Sequence, residues 1–556
     1  MCCSTHEPPT QCDYPYLYVV CTLTEGRKEG SHCSVTGYTS DTCLYSILFD
    51  CCKMANIILW FTDIRAVLLC AVVFLIISWW TRKPKNLPPG PFTWPILGSL
   101  PNFGISLYRS GLQPHQFMAK LTKRYGKVYS LYLGNQLIVI LNSAESVREA
   151  FQNQYLVDRP TIKIPEKFMS VAKGQGVVMA SGAHWREQRR FTLSTFRSFG
   201  VGKRSFQDQI SVEVKALCEE FSSFIGESFD PRKLLSNAVS NIICAVVFGK
   251  RFEYSDTKFH ELLHLLDKTV EDAGAGIAEI VIPIVRYLNI RSTPDSERYE
   301  RSQRLKNFYS TIFDDHRKHF DRTDLKDYID VYLEEIEQVE GSERAFNINE
   351  HNMIATVSQL FIAGSETTVT TLRWALLYMM AYPKIQDKVQ QEIDNVVGRN
   401  RLPNISDKEQ MPYTEATLME IQRIASIVPL GVPHYAAEDC ALFGYTIPKN
   451  TMIMSNIWAI HHDPATWTDP EIFRPERFIT GDKLANQPEE YLPFSTGRRV
   501  CLGENLAKME LFLFFSQLLH HFTFKKPKDV QNLCLDGKIG ATYSPSDFKT
   551  EAIVRD

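Results

Sequence analysis

Phe494-Ser495-Thr496-Gly497-Arg498-Arg499-Val500-Cys501-Leu502-Gly503 decides how this chain is read, and it runs directly into an apolar-periodic segment through Ala507, Leu511, Phe512 and Phe515. A thiolate at the start of a helix has its charge stabilised by unpaired backbone N–H groups and by the helix dipole. Gly497 and Gly503 allow the backbone to approach a flat object closely and to turn N–H groups toward the sulfur. A cysteine that merely fills a core needs neither the two glycines nor the paired arginines. The pattern therefore points to a thiolate that holds a metal, with its electron donation tuned by hydrogen bonds to the sulfur.

Working outward, Ala363-Gly364-Ser365-Glu366-Thr367-Thr368 lies inside a long helical pattern over 350–380. Glycine beside threonine in mid-helix is poor for propensity, and the hydroxyls compete for backbone acceptors. Such a conflict fits a helix that opens locally for a small molecule, although ordinary kinks share it. Further along, Glu420-Ile421-Gln422-Arg423 spaces a carboxylate and a guanidinium three apart, on one helix face. Taken alone, that is most often a surface ion pair. Phe473-Arg474-Pro475-Glu476-Arg477-Phe478 follows, and Trp185-Arg186-Glu187-Gln188-Arg189 opens a basic amphipathic helix.

The body between these motifs reads as mainly α with a minor β portion. Lys127 to Leu141 predicts a hairpin, two β-rich runs separated by Gly134-Asn135. Apolar spacing near 3.6 predicts helices over 143–151, 182–196, 206–225, 233–248, 258–270, 298–319, 350–380, 383–397, 407–425 and 503–518. The acidic stretch 320–346, with Asp321, Asp324, Asp327, Asp330, Glu334, Glu335, Glu337, Glu340 and Glu343, reads as a solvated face. No internal repeat or low-complexity linker divides residues 101–556, which are taken as one catalytic domain.

The front of the chain has a different character. Residues 66–77 carry no charged side chain, and with Ile57 to Phe61 the apolar stretch reaches about 25 residues, enough to cross roughly 30 Å of hydrocarbon. Asp63 and Arg65 interrupt it, and a buried core helix or a cleaved secretory signal are the bland alternatives. Trp79 and Trp80 followed by Arg82, Lys83 and Lys85 resemble an interface belt with basic residues on the cytoplasmic side. The expectation is a transmembrane anchor over 54–81, then a basic, proline-rich hinge over 82–100. Leu87-Pro88-Pro89-Gly90-Pro91 would be its stiff spacer.

Residues 1–53 are an extension of uncertain standing: either Met54 is the true start, or Cys2, Cys3, Cys12, Cys21, Cys33, Cys43, Cys51 and Cys52 form a small disulfide knot. The scattered Cys218, Cys244, Cys440, Cys501 and Cys534 do not read as a disulfide scaffold. A net charge of -3, from Lys+Arg 61 against Asp+Glu 64, argues against nucleic-acid binding.

Taken in order, these motifs resemble the cytochrome P-450 family, in particular the microsomal enzymes of its animal xenobiotic and steroid-hydroxylating branch. The resemblance covers residues 85–545. It implies haem b, iron protoporphyrin IX, with Cys501 as axial ligand and Phe494, Gly497 and Gly503 shaping the loop around it. It also implies that Trp185, Arg189, His434 of Val432-Pro433-His434, Arg499 and, less directly, Lys173 hold the propionates. Glu366 and Thr367 would deliver protons to bound dioxygen, although Ser365 stands where relatives often carry threonine. Glu420, Arg423 and either Arg474 or Arg477 would form a buried network, Arg477 following the commonest form. Ala363, Val428 and Leu430 would border the substrate, with Gly274, Ala275, Gly276 and Ile277 near the roof.

The implied reaction is insertion of one oxygen atom of O2 into an apolar small molecule such as a steroid, fatty acid, terpenoid or xenobiotic. Electrons would come from NADPH through NADPH-cytochrome P-450 reductase, with cytochrome b5 as a further partner. Arg186, Arg190 and Lys123 could form a basic face toward such a donor. No Gly-x-Gly-x-x-Gly signature in a convincing setting supplies a nicotinamide domain of the chain's own. A single-pass position in the endoplasmic reticulum membrane, with the catalytic domain facing the cytosol, completes the expectation. The alternatives are a haem-thiolate isomerase or dehydratase, in which the Glu366–Thr367 pair would be idle, and a haem carrier or sensor without turnover.

Overall fold

The computed structural model describes residues 64–80, 84–94, 96–160, 174–281 and 294–555. Near Trp80 the chain divides into two units, Met1–Trp79 and Trp80–Asp556. Residues 1–53 and Lys173 lie outside the described residues.

The apolar stretch of the first unit forms helix α1, Ile64–Trp80, of 17 residues. At 1.5 Å per residue it is about 26 Å long, against roughly 30 Å of hydrocarbon. Among the described residues no helix is long and apolar enough to cross a membrane. This overturns the transmembrane anchor over 54–81 and, with it, the single-pass membrane and endoplasmic reticulum assignments. Joining Ile57–Phe61 to 66–77 across Asp63 and Arg65 had supplied the required length, and those earlier residues fall outside the described ones.

The second unit is mainly helical. The helices that position the site are α2 (Gly182–Ser198), α3 (Arg232–Phe248), α4 (Thr257–Val281), α5 (Asp295–His319), α6 (Tyr328–Val339), α7 (Glu350–Ala381), α8 (Pro412–Ala425) and α9 (Glu504–His521). Expected helices match to within a few residues, with two informative exceptions. Helix α4 continues to Val281 rather than ending near 270. Helix α8 begins at Pro412, because proline fits a first helical turn but not an interior, and the residues before it make only a short 3-10 turn over Lys408–Gln410.

The acidic stretch is not simply a solvated face. It contains α6, whose Tyr328, Ile329 and Tyr332 are fully buried, and Asp327 and Asp330 are buried with them. Asp327 caps the helix by accepting from the Asp330 backbone N–H. Carboxylates at a helix start were counted as surface charge, whereas capping supplies hydrogen bonds that make their burial tolerable.

Helix α7 is the axis of the core. Its 32 residues, about 48 Å, start at an Asn349 cap and stop before Pro383. It packs most extensively against α3, and also against α8 and α9, with Val357, Phe361, Leu372 and Trp374 buried along it.

The principal sheet has the order β1–β2–β4–β3, from β1 (Val128–Leu133), β2 (Gln136–Leu141), β3 (His434–Tyr435) and β4 (Met452–Ser455). β1 and β2 form the expected antiparallel hairpin, Val128 opposite Leu141 and Leu133 opposite Gln136, turning at Gly134 with φ 62°. The Pro88–Pro89 segment is strapped to this hairpin: Ser130 donates to the carbonyls of Pro88 and Pro89, both at 2.7 Å. A second hairpin near the C-terminus, β5 (Gly537–Ile539) and β6 (Tyr543–Pro545), reaches back to α7, where Trp374 Nε1 donates to the Tyr543 carbonyl at 2.9 Å.

Candidate active site

The loop before α9 is folded tightly. The Cys501 N–H donates to the Phe494 carbonyl at 3.1 Å, Ser495 and Gly497 take φ of 62° and 75°, and Gly503 caps α9. A Cβ on Gly497 would lie 2.4 Å from the Phe151 carbonyl oxygen, so both conformation and space demand glycine there. At Gly503 an added Cβ meets no protein atom within 4 Å, so protein packing alone does not dictate that residue. Cys501 is accessible at its surface. Its thiol is pushed up by the surrounding protein bulk, a trend the Gly503 N–H and the positive Arg189 oppose.

Beside this loop, α2 and two distant segments bring cationic and aromatic groups together. The guanidinium of Arg499 lies 3.9 Å from the centre of the Trp185 ring, and its Nε donates to the Val157 carbonyl at 2.9 Å. Arg189 Nη2 donates to the Val500 carbonyl at 2.7 Å. Arg159 donates through Nη1 to the carbonyls of Val432 and Pro433, and both Arg159 and Arg499 reach the Val178 carbonyl. Burial first, and the neighbouring guanidiniums after it, push Arg499 down to about 8 and Arg159 to about 9. The indole Nε1 of Trp185 is buried without a hydrogen-bond partner.

His434 stacks on Phe151, centroids 3.8 Å apart and planes 7° from parallel, and its Nδ1–H donates to the Leu156 carbonyl at 2.7 Å. Burial, then Arg159, holds it well below the usual histidine range, so the ring is neutral. The whole cluster is a set of cationic and N–H donors satisfied largely by backbone carbonyls, ready for an anion with more than one oxygen.

On α7, Thr367 Oγ1 donates to the Ala363 carbonyl at 2.7 Å, the back-bond that a hydroxyl makes one turn up a helix. Burial raises Glu366, while hydroxyls at its Oε1 oppose the rise: Thr542 at 2.9 Å and Thr370 at 3.2 Å. At Gly364 an added Cβ would lie 2.6 Å from the end of the Ile243 side chain, which would have to shift to admit it. Close approach to α3 therefore favours glycine in mid-helix. Thr367, Thr368, Val428, Phe494, Ala507 and Leu511 line one cleft. Leu430 does not; it packs against the sheet cluster of Met118, Tyr129 and Met452. Gly274 to Ile277 continue α4, and their side chains are outside the described residues.

On α8, Glu420 and Arg423 are both fully buried and doubly bonded, Nε to Oε2 at 2.7 Å and Nη2 to Oε1 at 2.9 Å. Arg477 Nε donates to the same Oε1 at 3.0 Å, whereas Arg474 offers its backbone N–H to it and sends its side chain to the Thr468 carbonyl. Arg423 Nη1 also donates to the His461 carbonyl at 2.7 Å. His461 in turn links the network to the cysteine loop: burial keeps it neutral, its Nε2 accepts from the Leu492 N–H at 2.9 Å, and its Nδ1–H donates to Ser426.

Sequence reasoning missed Arg159, His461, Thr542 and Glu510. Arg159 and Thr542 sit in loops without periodicity, and no local signal marks them. Glu510 was detectable, as a lone carboxylate inside Met509-Glu510-Leu511-Phe512-Leu513-Phe514-Phe515.

Residues 88–551 match the family model described as Cytochrome P450. Human cytochrome P450 2J2 is 39% identical over 493 residues, covering 88% of this chain and 96% of the relative. Mouse cytochrome P450 2J5 is 40% identical over 485 residues, covering 87% and 94%. Human cytochrome P450 2U1 is 38% identical over 507 residues, covering 87% and 92%. The chain belongs to the cytochrome P450 family, and is a haem b-carrying monooxygenase that oxidises apolar small molecules with O2 and electrons passed from NADPH by a reductase.

Proposed function

We propose that Cys501 would hold the haem iron through its thiolate and that Trp185, Arg189, Arg499, His434 and Arg159 would hold the propionates. The observation that carries this is the buried, unpartnered Nε1 of Trp185 beside guanidiniums that no side-chain carboxylate hydrogen-bonds among the described residues. Such donors are costly to bury unless an anion meets them. Two carboxylates would supply that charge. His434 spends Nδ1–H on Leu156, so it donates through Nε2 only after gaining a second proton, which an adjacent anion favours. Phe494, Gly497 and Gly503 fix the loop, the last leaving room for a flat ring.

Once bound, the haem supplies the oxidising chemistry. Around it the chain's residues orient, exclude water and move protons. Glu366 and Thr367 are the proton-delivering pair: an acid and a hydroxyl adjacent on α7, the acid raised above its ordinary value by burial. Glu420, Arg423 and Arg477, through His461, hold the cysteine loop in place. Val428, with the apolar side chains of Ile427, Ile457 and Leu511 in the same cleft, forms the substrate wall; Ala363, one turn before Thr367 on α7, is assigned to its border by the family resemblance alone. This suits steroids, fatty acids, terpenoids and xenobiotics alike, since one methylene is worth only about 1–3 kcal/mol of discrimination.

Arg186 and Arg190, exposed on α2, and exposed Lys123 are the basic residues assigned to docking NADPH-cytochrome P-450 reductase and, as a second donor, cytochrome b5. The test of ligation is the carbon monoxide spectrum of the reduced protein. Wild type is expected to give the red-shifted Soret band of a thiolate ligand, and Cys501→Ser to lack it. A thiolate-type band in Cys501→Ser would overturn the assignment. Trp185→Phe is expected to fold but to surrender haem faster to an apomyoglobin acceptor.

A further inference from the structure

We infer that Thr542, on the β5–β6 hairpin, is a positioning residue for Glu366, fixing which carboxyl oxygen presents the proton to the active site; this rests on the reading of Glu366 as a proton donor. Thr542 Oγ1 donates to Glu366 Oε1 at 2.9 Å, and Thr370 Oγ1 donates to the same oxygen at 3.2 Å. Each hydroxyl has a single hydrogen, and both are spent on Oε1. Ser544 Oγ lies 3.1 Å from each of these threonine oxygens and, with one hydrogen of its own, can donate to one of them at a time. With two donors aimed at it, Oε1 is the acceptor oxygen, which leaves Oε2 to carry the hydrogen whenever the acid is protonated.

The hairpin is built to hold this register. The Tyr543 N–H donates to the Ile427 carbonyl at 2.7 Å, its carbonyl accepts from Trp374 on α7, and its ring lies 5.7 Å from Trp374 in a stacked arrangement. Gly537 has no space for a Cβ, which would lie 2.7 Å from the Ser544 carbonyl oxygen. Thr542 is thus anchored by its neighbour to both α7 and the segment leading to Val428, so one rigid hairpin touches the proton donor and the substrate wall. On its other flank Glu366 faces a recess in which Asp267, Ser236, Ser240 and Ser365 stand among apolar side chains such as Leu266 and Phe361, and Arg232 stands 3.8 Å from Asp267. Asp267 raises Glu366 and Arg232 lowers it, but neither hydrogen-bonds it. Orientation of the carboxyl therefore falls to the hydroxyls.

The experiment uses the full-length holoenzyme with its reductase, lauric acid as the apolar probe, and hydrogen peroxide released per NADPH consumed. Thr542→Val is expected to raise that ratio severalfold, within the roughly 10²-fold that a misplacement of about 1 Å can cost. Thr542→Ser, which keeps the hydroxyl, is expected to restore it. Infrared spectra of the resting enzyme, taken at a pH low enough to protonate Glu366, give an independent readout: the protonated carboxyl band that Glu366→Gln removes should move to higher wavenumber in Thr542→Val and return in Thr542→Ser. Glu366→Gln/Thr542→Val should be no worse than Glu366→Gln.

An unshifted band, additive losses, or failure of serine to rescue would overturn the inference. If Glu366→Gln itself leaves peroxide release unchanged, the reading of Glu366 fails first. If Glu366→Gln uncouples and Thr542→Val does not, only the role of Thr542 falls.

Discussion

Replacing Glu510 by glutamine should flatten the dependence of stability on pH. Glu510 is 1% exposed on α9; its Oε2 accepts from Thr368 Oγ1 at 3.0 Å and its Oε1 has no protein partner. Burial pushes this carboxyl from 4.5 up to about 8, opposed only by the Thr368 bond. In the unfolded chain the group ionises above its ordinary value, while in the native protein it stays neutral until about pH 8. The unfolded state therefore releases the proton first, and stability falls as pH rises through the interval.

The contribution is fully present below about 4.5 and lost above about 8; at about 1.4 kcal/mol per pH unit the whole interval amounts to about 5 kcal/mol. Glutamine keeps the shape and an acceptor for Thr368 but cannot ionise. The stability of Glu510→Gln relative to wild type should rise by about 4 kcal/mol between pH 5 and 8, at about 1.4 kcal/mol per pH unit. Urea unfolding of both haem-loaded proteins, followed by circular dichroism across that range, measures the difference, in which other titrating groups cancel. Parallel curves would refute the reasoning and place an ionised carboxylate, with its own counter-charge, inside the core.

Glu420→Ala leaves Arg423 fully buried without its carboxylate and should destabilise the protein by about 3–5 kcal/mol, read as a shift of the urea midpoint. Gly497→Ala must accommodate both φ 75° and a contact with the Phe151 carbonyl, so haem incorporation should fall steeply while α-helical content, by circular dichroism, is retained. His316 has acceptors at both ring nitrogens, the Ile312 carbonyl and Asp327, each at 2.8 Å, which calls for the imidazolium. Burial opposes that charge but the Asp327 bond outweighs it, so His316 lies above its ordinary 6.5. Its stabilisation is full below 6.5 and lost as pH rises past its native value. Hydrogen exchange over α5 and α6 should therefore accelerate at alkaline pH in wild type, and already at neutral pH in His316→Gln.

How far the sequence carried these conclusions varied with the kind of interaction. Helices with a sustained apolar period, such as α3, α7 and α9, were legible because the same pattern that makes the helix makes its buried face. The cysteine loop was legible because Gly497, Arg499 and Cys501 are chemically unusual together. Arg159, His461 and Thr542 were not, because their roles depend on contacts with residues far along the chain, and each looks ordinary among its neighbours. The front segment failed for a different reason: summing hydrophobic residues across Asp63 and Arg65 gives a length, but the described helix α1 is shorter than that sum.

Charge balance separates the two arginine clusters more sharply than motif spacing does. Arg423 and Arg477 send their donors to Glu420 and to the carbonyls of His461, Pro470, Thr468, Asp469 and Ile472, so the network is complete within the protein. Arg159, Arg189 and Arg499 reach backbone carbonyls, and the nearby Asp158 carboxylate accepts from the Gly182 N–H. Bringing like charges together under burial costs energy that the chain's own hydrogen bonds do not recover. A fold tolerates such a cost where a ligand returns it. The first cluster should therefore matter to folding whether or not haem is bound, and the second chiefly to how tightly haem is held. Glu420→Ala and Trp185→Phe compared side by side, unfolding against haem release, would expose that division, and equal effects on both readouts would dissolve it.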